Sequence, residues 1–313
     1  MLTITADDAA RALHFDALIP ALREGFRRGA HTPDRHTHSL DEASGASLLL
    51  MPSWSDDAYL GVKLVTIFPG NNALGRPALS SAYILSSATT GEHLAVLDGD
   101  ELTRRRTTAT SVLAASHLAR PDSRVLLVVG AGHIGGMLPA AYRSQFDLRT
   151  VLVHDTDPAA AHRLADALRT DGIDAEVVTD LADAVPRADI VSCATLATTP
   201  IIRGAWLRPG THLDLIGSFR PHMREADDDC LRLSTVYIDT PTALAESGDL
   251  VQPAAAGVLD PATIAGTLGQ LCRDEVAGRR DRDQITLFKA VGSGLADLAA
   301  AEHVLRSLSQ PAA

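Results

Sequence analysis

Three glycines at a fixed spacing carry the clearest chemical signal in the sequence. They lie in the run Gly130, Ala131, Gly132, His133, Ile134 and Gly135. An apolar segment, 125–129, precedes this run, and an amphipathic segment, 137–146, follows it. In such a strand, turn and helix, the first glycine allows the sharp turn, the second lets a pyrophosphate approach the backbone, and the third lets helix and strand pack closely. The run predicts a nicotinamide dinucleotide site, the alternative being an ordinary glycine-containing turn.

An acidic residue ends the next predicted strand. Asp155 follows the apolar segment 151–154. A carboxylate at this place accepts hydrogen bonds from both ribose hydroxyls of NADH and repels the 2′-phosphate of NADPH. We therefore expect NADH to be preferred. NADPH stays an alternative, because Arg163 in the following helix is near enough in sequence to reach a phosphate.

A lysine lies inside an apolar strand of the N-terminal half. Side chains alternate along the segment 61–68, so Lys63 shares a face with Val65 and Ile67. An unpaired ammonium group is costly to bury, and we expect this one to face an anion or a cleft. A lowered pKa would let it donate a proton there. The alternative is a lysine on an edge strand whose ammonium group reaches water.

Two arginines are candidates for binding a carboxylate. Arg106 ends a run of three arginines and precedes Thr107 at the start of a predicted helix, and Arg35 lies in the segment 33–36. A guanidinium group matches a carboxylate with two parallel hydrogen bonds, so either residue can hold an amino-acid-like substrate. From composition alone, such a run is more often a solvated helix face, and Arg35 is equally ambiguous.

Three histidines raise the question of a metal site. His36 and His38 have the spacing that places two imidazoles on one side of a strand, and His31 is nearby. No cysteine or well-placed third ligand follows them, as zinc would require. We predict no metal and interpret the three residues as an exposed cluster in a turn.

The composition excludes several classes of partner. The chain has 313 residues and a formal net charge of −11, which disfavours nucleic acid and anionic membranes because both attract clustered positive charge. Its three cysteines are widely separated and odd in number, as in a reducing compartment. The sequence has no signal-peptide pattern and no apolar run of about 20 residues. We expect a soluble cytoplasmic protein.

The order of predicted elements indicates an α/β fold with two domains. Helices come first, followed by the strands of an antiparallel sheet and a helix over 102–118. After a polar break at 119–123, predicted strands alternate with helices, which indicates a mostly parallel, doubly wound sheet. These strands lie near 125–129, 150–154, 175–178, 189–193, 212–216 and 235–239. The tail, residues 285–308, is expected to pack back onto the first domain.

Five ordered blocks resemble the ornithine cyclodeaminase and mu-crystallin family over nearly the whole chain. They are 61–71, 97–109, 130–135, 217–225 and 288–297. The resemblance implies a homodimer in which 1–120, with 293–313, forms an α+β domain for substrate binding and dimerisation. Residues 121–292 then form a Rossmann-type NAD(P) domain. It also implies that Arg35, Lys63 and Arg106 surround a substrate carboxylate, and we expect Thr107 and Ser293 to contact the cofactor.

One residue departs from the pattern of the family's cyclodeaminases. Phe219 stands where those enzymes have a catalytic aspartate. A phenyl ring cannot accept a proton, which argues against deamination. The segments 217–219 and 223–225 look more like the family's ketimine reductases, which convert Δ1-pyrroline-2-carboxylate to L-proline and Δ1-piperideine-2-carboxylate to L-pipecolate. Thr156 follows Asp155 where the family's NADPH users often have an arginine, which again favours NADH.

The resemblance thus implies an oxidoreductase that acts on a cyclic imino acid. In this hypothesis the three cations bind the substrate carboxylate, while Lys63, or a water that it holds, keeps the imine nitrogen protonated. Three alternatives stay open. They are an alanine dehydrogenase of the same family, an ornithine cyclodeaminase, and a ligand-binding protein without catalysis.

Overall fold

The computed structural model describes residues 1–56 and 58–309, which form two compact units. The first contains Met1–Arg106 and the segment that begins at Ser293. The second contains Thr107–Gly292. The division at residue 106 falls inside a continuous helix, whereas the sequence places a boundary after that helix, at residue 120.

A six-stranded sheet organises the first unit. Its strands are β1 (Leu2–Ile4), β2 (His36–Asp41), β3 (Ala46–Trp54), β4 (Tyr59–Ile67), β5 (Leu79–Ser87) and β6 (His93–Asp98). They follow the order β1-β6-β5-β4-β3-β2, and all pairs are antiparallel except β1 with β6. The helices are α1 (Ala6–Ala12), α2 (Phe15–Arg28), the first two turns of α3 (Gly99–Leu118), and α11 (Gly294–Ser309). The antiparallel sheet expected between residues 47 and 97 is confirmed.

Helix α11 joins the first unit by packing on both the sheet and another helix. Helix α2 buries Leu18, Leu22 and Phe26, which recur at helical spacing. It meets α11 where Gly25 faces Ala299, and a Cβ at Gly25 would lie 2.5 Å from the Ala299 Cβ. Helix α11 also contacts β3 and β4. The chain's last helix is therefore held over the centre of the N-terminal sheet.

The second unit is a doubly wound, parallel sheet of eight strands. They are β7 (Val125–Val129), β8 (Thr150–His154), β9 (Asp174–Val177), β10 (Ile190–Cys193), β11 (His212–Leu215), β12 (Thr235–Ile238), β13 (Gly266–Thr267) and β14 (Thr286–Lys289). The order is β13-β12-β14-β11-β10-β7-β8-β9, so the direction of winding reverses between β7 and β10. Doubly wound sheets bind ligands at such a point, beyond the carboxyl ends of the strands. The predicted sheet is confirmed.

Helices connect these strands. They are α4 (Leu138–Arg143), α5 (Pro158–Thr170), α6 (Leu181–Ala184), α7 (Asp228–Leu233), α8 (Ala243–Glu246), α9 (Gly248–Ala255) and α10 (Leu268–Cys272). The amphipathic segment predicted over 137–146 forms a shorter helix, α4, because turns occupy 133–137. In the part of the chain that the structure describes, no helix combines the length and apolar character needed to span a bilayer.

The tail divides between the two units. The element pattern alone suggests that the whole tail packs on the first domain, but β14 lies between β11 and β12 in the second sheet, which agrees with the bounds 121–292 that the family resemblance implies. All four residues of β14 are buried, as expected for an inner strand of a parallel sheet covered on both faces. Only the segment from Ser293 onward belongs to the first unit.

Candidate active site

Lys63, Arg106 and Asp297 form a buried ion cluster in the first unit. Lys63 Nζ lies 2.7 Å from Asp297 Oδ2, and Arg106 Nε donates a hydrogen bond to Asp297 Oδ1 over 2.7 Å. Lys63 is 3% exposed, Arg106 5% and Asp297 0%. Because two cations share one carboxylate away from water, the cluster has an excess of positive charge that suits an anionic ligand.

The environment changes the acidity of both lysine and aspartate. Burial, together with the charges of Arg106 and Arg35, lowers the pKa of Lys63 to about 8, although the charge of Asp297 and its hydrogen bond act in the opposite direction. Burial would raise the pKa of Asp297, but the charges of Arg106 and Lys63 hold it below its usual value. Asp297 is therefore ionised at neutral pH, and Lys63 exchanges its proton close to physiological pH.

Lys63 is buried because β4 is an inner strand. Its cross-strand neighbours are Met51 on β3 and Tyr83 on β5. The alternative of an edge-strand lysine in contact with water is therefore wrong. The start of α11 is fixed near this strand pair, since Ser53 Oγ donates to the carbonyl of Gly294 over 2.9 Å. This anchor helps to direct Asp297, one turn further along, toward the ammonium group.

A missing side chain on β4 makes room for the tyrosine next to the lysine. A Cβ at Gly61 would lie 1.9 Å from Tyr83 Oη, so only glycine fits below the phenol. Burial, together with the charges of Asp297 and Glu302, raises the pKa of Tyr83 well above its usual value. The phenol therefore stays protonated and neutral beside Lys63, and it does not act as a second proton donor.

The arginine run separates into two kinds of side chain. Arg106 is buried, whereas Arg105 and Arg104 pair with Glu101 at 2.6 and 3.7 Å and are partly exposed. The solvated-face interpretation therefore fits Arg104 and Arg105 but is wrong for Arg106. Helix α3 begins at Gly99, so Arg106 lies two turns inside it rather than at its start.

Arg35 is the third predicted cation, and it lies near the same cluster. The residue precedes β2 and is half-buried. Its charge makes a small contribution to the lowered pKa of Lys63. All three cations that the sequence suggests for a carboxylate site are thus brought together in the first unit.

Asp297 is the functional residue that the residue-by-residue reading of the sequence missed. The family block that ends at this position includes it, but nothing in that reading pairs it with Lys63. A signal was available, because Asp297 interrupts the apolar segment 294–301. An acid among alanines and leucines on a buried helix face implies a buried cation opposite it.

The glycine run in the second unit has the geometry that its spacing predicts. Gly130 has a φ of +97°, and a Cβ there would lie 2.6 Å from the Ala194 carbonyl oxygen. A Cβ at Gly135 would lie 1.7 Å from the carbonyl oxygen of Gly130. Around Gly132, by contrast, no atom lies within 4 Å of the Cβ position. Two glycines therefore close the turn, and the middle one leaves the backbone open to a ligand.

The same turn offers donors to an anion. Within residues 1–56 and 58–309, no protein group accepts a hydrogen bond from the backbone N–H of Gly132, His133, Ile134 or Gly135. Four neighbouring donors beside an open glycine backbone fit a pyrophosphate. The residues present are thus suited to hold a dinucleotide.

Asp155 lies against the glycine turn. Its Oδ2 accepts from the N–H of Ala131 over 2.6 Å, and its Oδ1 accepts from the N–H of Asp157 over 2.7 Å. The carboxylate therefore stands at the carboxyl end of β8, where a ribose would bind. Arg163 is 3.5 Å from Asp157 and largely exposed.

Two further residues, Thr107 and Ser293, are predicted to contact the cofactor. Thr107 follows Arg106 on α3 and is half-buried. Ser293 precedes α11, and its Oγ accepts from the N–H of Ala296 over 3.3 Å. This bond satisfies a donor in the first turn of α11.

Among the described residues, His31, His36 and His38 do not form a metal site. His36 and His38 are exposed on β2, and His31 stacks on Trp54 and lies 3.3 Å from Asp56. His36 and His38 thus belong to a strand rather than to the predicted turn. In the described parts of the chain, no group of three or more histidine, cysteine, aspartate or glutamate side chains is arranged to hold a metal ion.

Comparison with known proteins agrees with the resemblance seen in the sequence. The model of the ornithine cyclodeaminase/mu-crystallin family matches residues 2–311. The chain belongs to this family. A relative from Paracoccus denitrificans named Δ1-pyrroline-2-carboxylate reductase is 37% identical, over 96% of this chain and 95% of its own.

Solved structures of the family have the same fold. The Δ1-pyrroline-2-carboxylate reductase of Thermococcus litoralis, in complex with NADH and L-proline, is 30% identical with a TM-score of 0.92, covering 98% of this chain and 97% of its own. An archaeal alanine dehydrogenase dimer with bound NAD is 28% identical with a TM-score of 0.92, covering 99% and 96%. The Rossmann-type fold class is thereby confirmed.

Proposed function

We propose that this protein reduces Δ1-pyrroline-2-carboxylate to L-proline with NADH, and accepts Δ1-piperideine-2-carboxylate as a second substrate. The observation that carries the proposal is the buried cluster of Lys63, Arg106 and Asp297 beside Arg35. Relatives and a solved neighbour named for this reductase support it. The protein is accordingly an oxidoreductase that acts on a carbon–nitrogen double bond.

The cations supply binding and orientation. Arg106 and Arg35 present guanidinium groups that suit a carboxylate, and Asp297 keeps Arg106 and Lys63 in place through two bonds of 2.7 Å. A carboxylate held in this way fixes the imine carbon of a small ring relative to the protein. Such orientation is a large part of catalysis in reactions that need no covalent intermediate.

Lys63 is the proton donor in this proposal. A cyclic imine accepts hydride at carbon once its nitrogen is protonated, and the reaction leaves a secondary amine. With its pKa lowered to about 8, Lys63 can supply that proton near neutral pH and regain it from solvent. A reduced nicotinamide, when bound, supplies the hydride. The pyrophosphate would be held by the N–H groups of 132–135 and the ribose by Asp155.

The preference for NADH rests on Asp155. A carboxylate at the end of β8 disfavours a 2′-phosphate. Arg163, the one candidate for binding that phosphate in the sequence analysis, lies near Asp157, whose carboxylate competes for it. Roles for Thr107 and Ser293 at the cofactor are part of the same proposal.

A homodimer in the cytoplasm completes the proposal. The face of the first sheet opposite α11 is apolar and partly exposed: Leu64 is 37% exposed, with Leu50 and Ala82 on either side of it. Val62 continues the stripe. A second copy covering this face would bury it, and the alanine dehydrogenase neighbour is a dimer. The three cysteines are buried and form no disulfide among the described residues, which suits a reducing compartment.

Alanine dehydrogenase activity is the second candidate, because a neighbour of that name matches as well in fold. The deciding experiment follows loss of NADH absorbance with Δ1-pyrroline-2-carboxylate, beside NADPH, pyruvate with ammonia, and L-ornithine. We expect rapid loss with the cyclic imine and little with pyruvate. Release of ammonia and proline from ornithine would overturn the proposal and make the protein a cyclodeaminase despite Phe219.

A further inference from the structure

A second buried charge cluster lies in the second unit, whereas the proposed substrate cations belong to the first. Glu225, Asp249 and Lys289 are each 0% exposed. Lys289 is the last residue of β14, and β14, β11 and β10 are neighbours in the sheet. Because the strands are parallel, their carboxyl ends share one edge, which is the ligand edge of a doubly wound sheet. The cluster therefore lies at the edge of the sheet where doubly wound folds bind their ligands.

One carboxylate connects the loops that follow two of these strands. Glu225 Oε1 accepts from both the N–H and the Oγ1 of Thr195, each over 2.8 Å, beyond β10. Its Oε2 accepts from the N–H of Gly217 over 2.8 Å, beyond β11. A Cβ at Gly217 would lie 2.0 Å from the Thr195 carbonyl oxygen and 2.5 Å from Glu225 Oε1. Glycine is thus required for the two loops to approach this closely.

Asp249 and Lys289 hold the backbone at Glu225 and balance part of the charge. Asp249 Oδ1 accepts from the N–H groups of Glu225 and Ala226 over 2.8 and 3.0 Å. Its Oδ2 lies 3.4 Å from Lys289 Nζ. Burial raises the pKa of Glu225, the charge of Lys289 lowers it and the charge of Asp249 raises it. The single ammonium group offsets part of the cost of burying two acids.

The loop that is held in this way carries Phe219. Gly217 and Glu225 bound the loop, and Ser218 Oγ donates to the carbonyl of Met223 over 2.7 Å inside it. Phe219, inside this loop, is 40% exposed. A fixed base with an exposed tip is the arrangement that lets a loop present one side chain to a ligand with little loss of entropy.

We propose that Glu225 is a positioning residue that locks the Thr195 and Gly217–Glu225 loops together, so that Phe219 is presented in one fixed place at the cofactor edge. The inference rests on the proposed function, because imine reduction is its first readout. Glu225 contacts neither substrate nor the reacting atoms in this view. It acts through three hydrogen bonds to the loops.

The test is Glu225→Gln, which keeps the size of the side chain. One carboxylate oxygen becomes an NH₂ group, and this group must face an N–H donor of Thr195 or Gly217. We expect kcat for the cyclic imine to fall by about 10²-fold, as for a misplacement of about 1 Å at a reacting centre. The dissociation constant of NADH, measured by fluorescence, should stay within about threefold, because the glycine turn is untouched.

A matched control is Glu176→Gln on β9. This glutamate is an exposed partner of Arg187, and its substitution should leave kcat unchanged. If Glu225→Gln keeps kcat within about threefold of the parent, the proposal is overturned. If that variant does not fold, Thr195→Val decides, since it keeps the backbone donor of Thr195 and removes the hydroxyl, which donates to Glu225 and accepts from the N–H of Ala197 over 3.2 Å. A several-fold lower kcat supports the lock, and an unchanged kcat overturns it.

Hydrogen exchange separates this inference from the proposed function. If the parent protein does not reduce the imine, the proposed function fails but the lock can still be measured. The amides of Thr195 and Gly217 should then exchange at least about tenfold faster in Glu225→Gln than in Glu176→Gln. Equal exchange at both amides in the two variants would overturn the lock independently of any activity.

Discussion

Lys63 Nζ and Asp297 Oδ2 are 2.7 Å apart, although one lies on the fourth strand and the other on the last helix. Asp297 also binds Arg106, so a single carboxylate compensates two buried cations. The N-terminal sheet and the last helix are thus coupled by charge as well as by packing. Loss of the carboxylate would leave both cations without their shared anion.

Asp297→Asn should therefore be strongly destabilising. Removing one partner of a buried ion pair costs about 3–5 kcal/mol, which denaturant unfolding can measure. Any folded fraction should lose activity at a lower pH than the parent, because the positive charges of Arg106 and Arg35 then act on Lys63 unopposed. The control is Glu24→Gln, an exposed acid about 3.9 Å from Arg27 and Arg28, with an expected effect within about 0.5 kcal/mol. Equal stability of the two variants would refute the shared-anion role.

The pH profile should report Lys63 directly. Because the pKa of Lys63 is lowered to about 8 and its protonated form is the donor, kcat/KM for imine reduction should fall about tenfold per pH unit above that value. Below that pH the lysine is protonated, and kcat/KM should not depend on its titration; the fall above it is the alkaline limb of the profile. Lys63→Met should remove the limb and depress turnover by about 10²-fold or more while leaving NADH affinity nearly unchanged. A limb that persists in this variant belongs to another group.

Gly61→Ala should disturb the phenol beside Lys63. The new Cβ would lie 1.9 Å from Tyr83 Oη, and such overpacking typically costs about 1–3 kcal/mol. Gly70→Ala is the matched control, because no atom lies within 4 Å of its Cβ position. Adding Tyr83→Phe should restore only a minor part of the loss, since it removes the clashing oxygen but leaves ring carbons Cζ and Cε1 at 2.4 and 2.7 Å from the new Cβ. Thermal unfolding of the parent, the two alanine variants and the Gly61→Ala/Tyr83→Phe double variant measures these effects. Equal losses of stability in Gly61→Ala and Gly70→Ala would contradict the predicted clash.

The sequence predicts the parallel sheet and the glycine turn well because both depend on local patterns. Five apolar residues before Gly130 specify a buried strand, and the spacing to Gly135 specifies the turn. Lys63 is recognisable because alternation shows which face it shares. Its partner is not, since the contact with Asp297 depends on how α11 packs over the sheet. The place of β14 in the strand order is not predicted by its local sequence for the same reason. Strand order depends on long-range contacts, and the residues 286–289 contain no pattern that specifies their neighbours.

Cofactor preference should respond to Asp155. In Asp155→Asn the side chain keeps its size but loses the charge that repels a 2′-phosphate, so the ratio of kcat/KM for NADPH to that for NADH should rise by about 10-fold or more. Asp171→Asn, at the far end of α5, is the control and should leave the ratio unchanged. If the ratio in Asp155→Asn equals that of the parent, Asp155 does not select the cofactor.

A buried acid in the second sheet should make stability depend on pH. Asp214 is 0% exposed on β11, and its Oδ2 accepts from Ser192 Oγ over 2.5 Å and Tyr142 Oη over 3.1 Å. Burial raises its pKa from 3.8 to about 6, against hydrogen bonds from neighbouring hydroxyls and the charge of Lys289. The folded state thus binds the proton more tightly than the unfolded chain does. Ionisation then costs about 3 kcal/mol, at about 1.4 kcal/mol per pKa unit.

The stability that the protonated, buried carboxyl contributes is fully present below pH 3.8 and is lost as the pH rises through about 6. Asp214→Asn cannot ionise, so its stability relative to the parent should improve by up to about 3 kcal/mol between pH 4 and pH 7. Denaturant unfolding at several pH values measures this slope. Asp166→Asn, an exposed acid paired with Arg169, should show no such change. A constant difference between Asp214→Asn and the parent from pH 4 to pH 7 would mean that Asp214 does not titrate in this range in the folded protein.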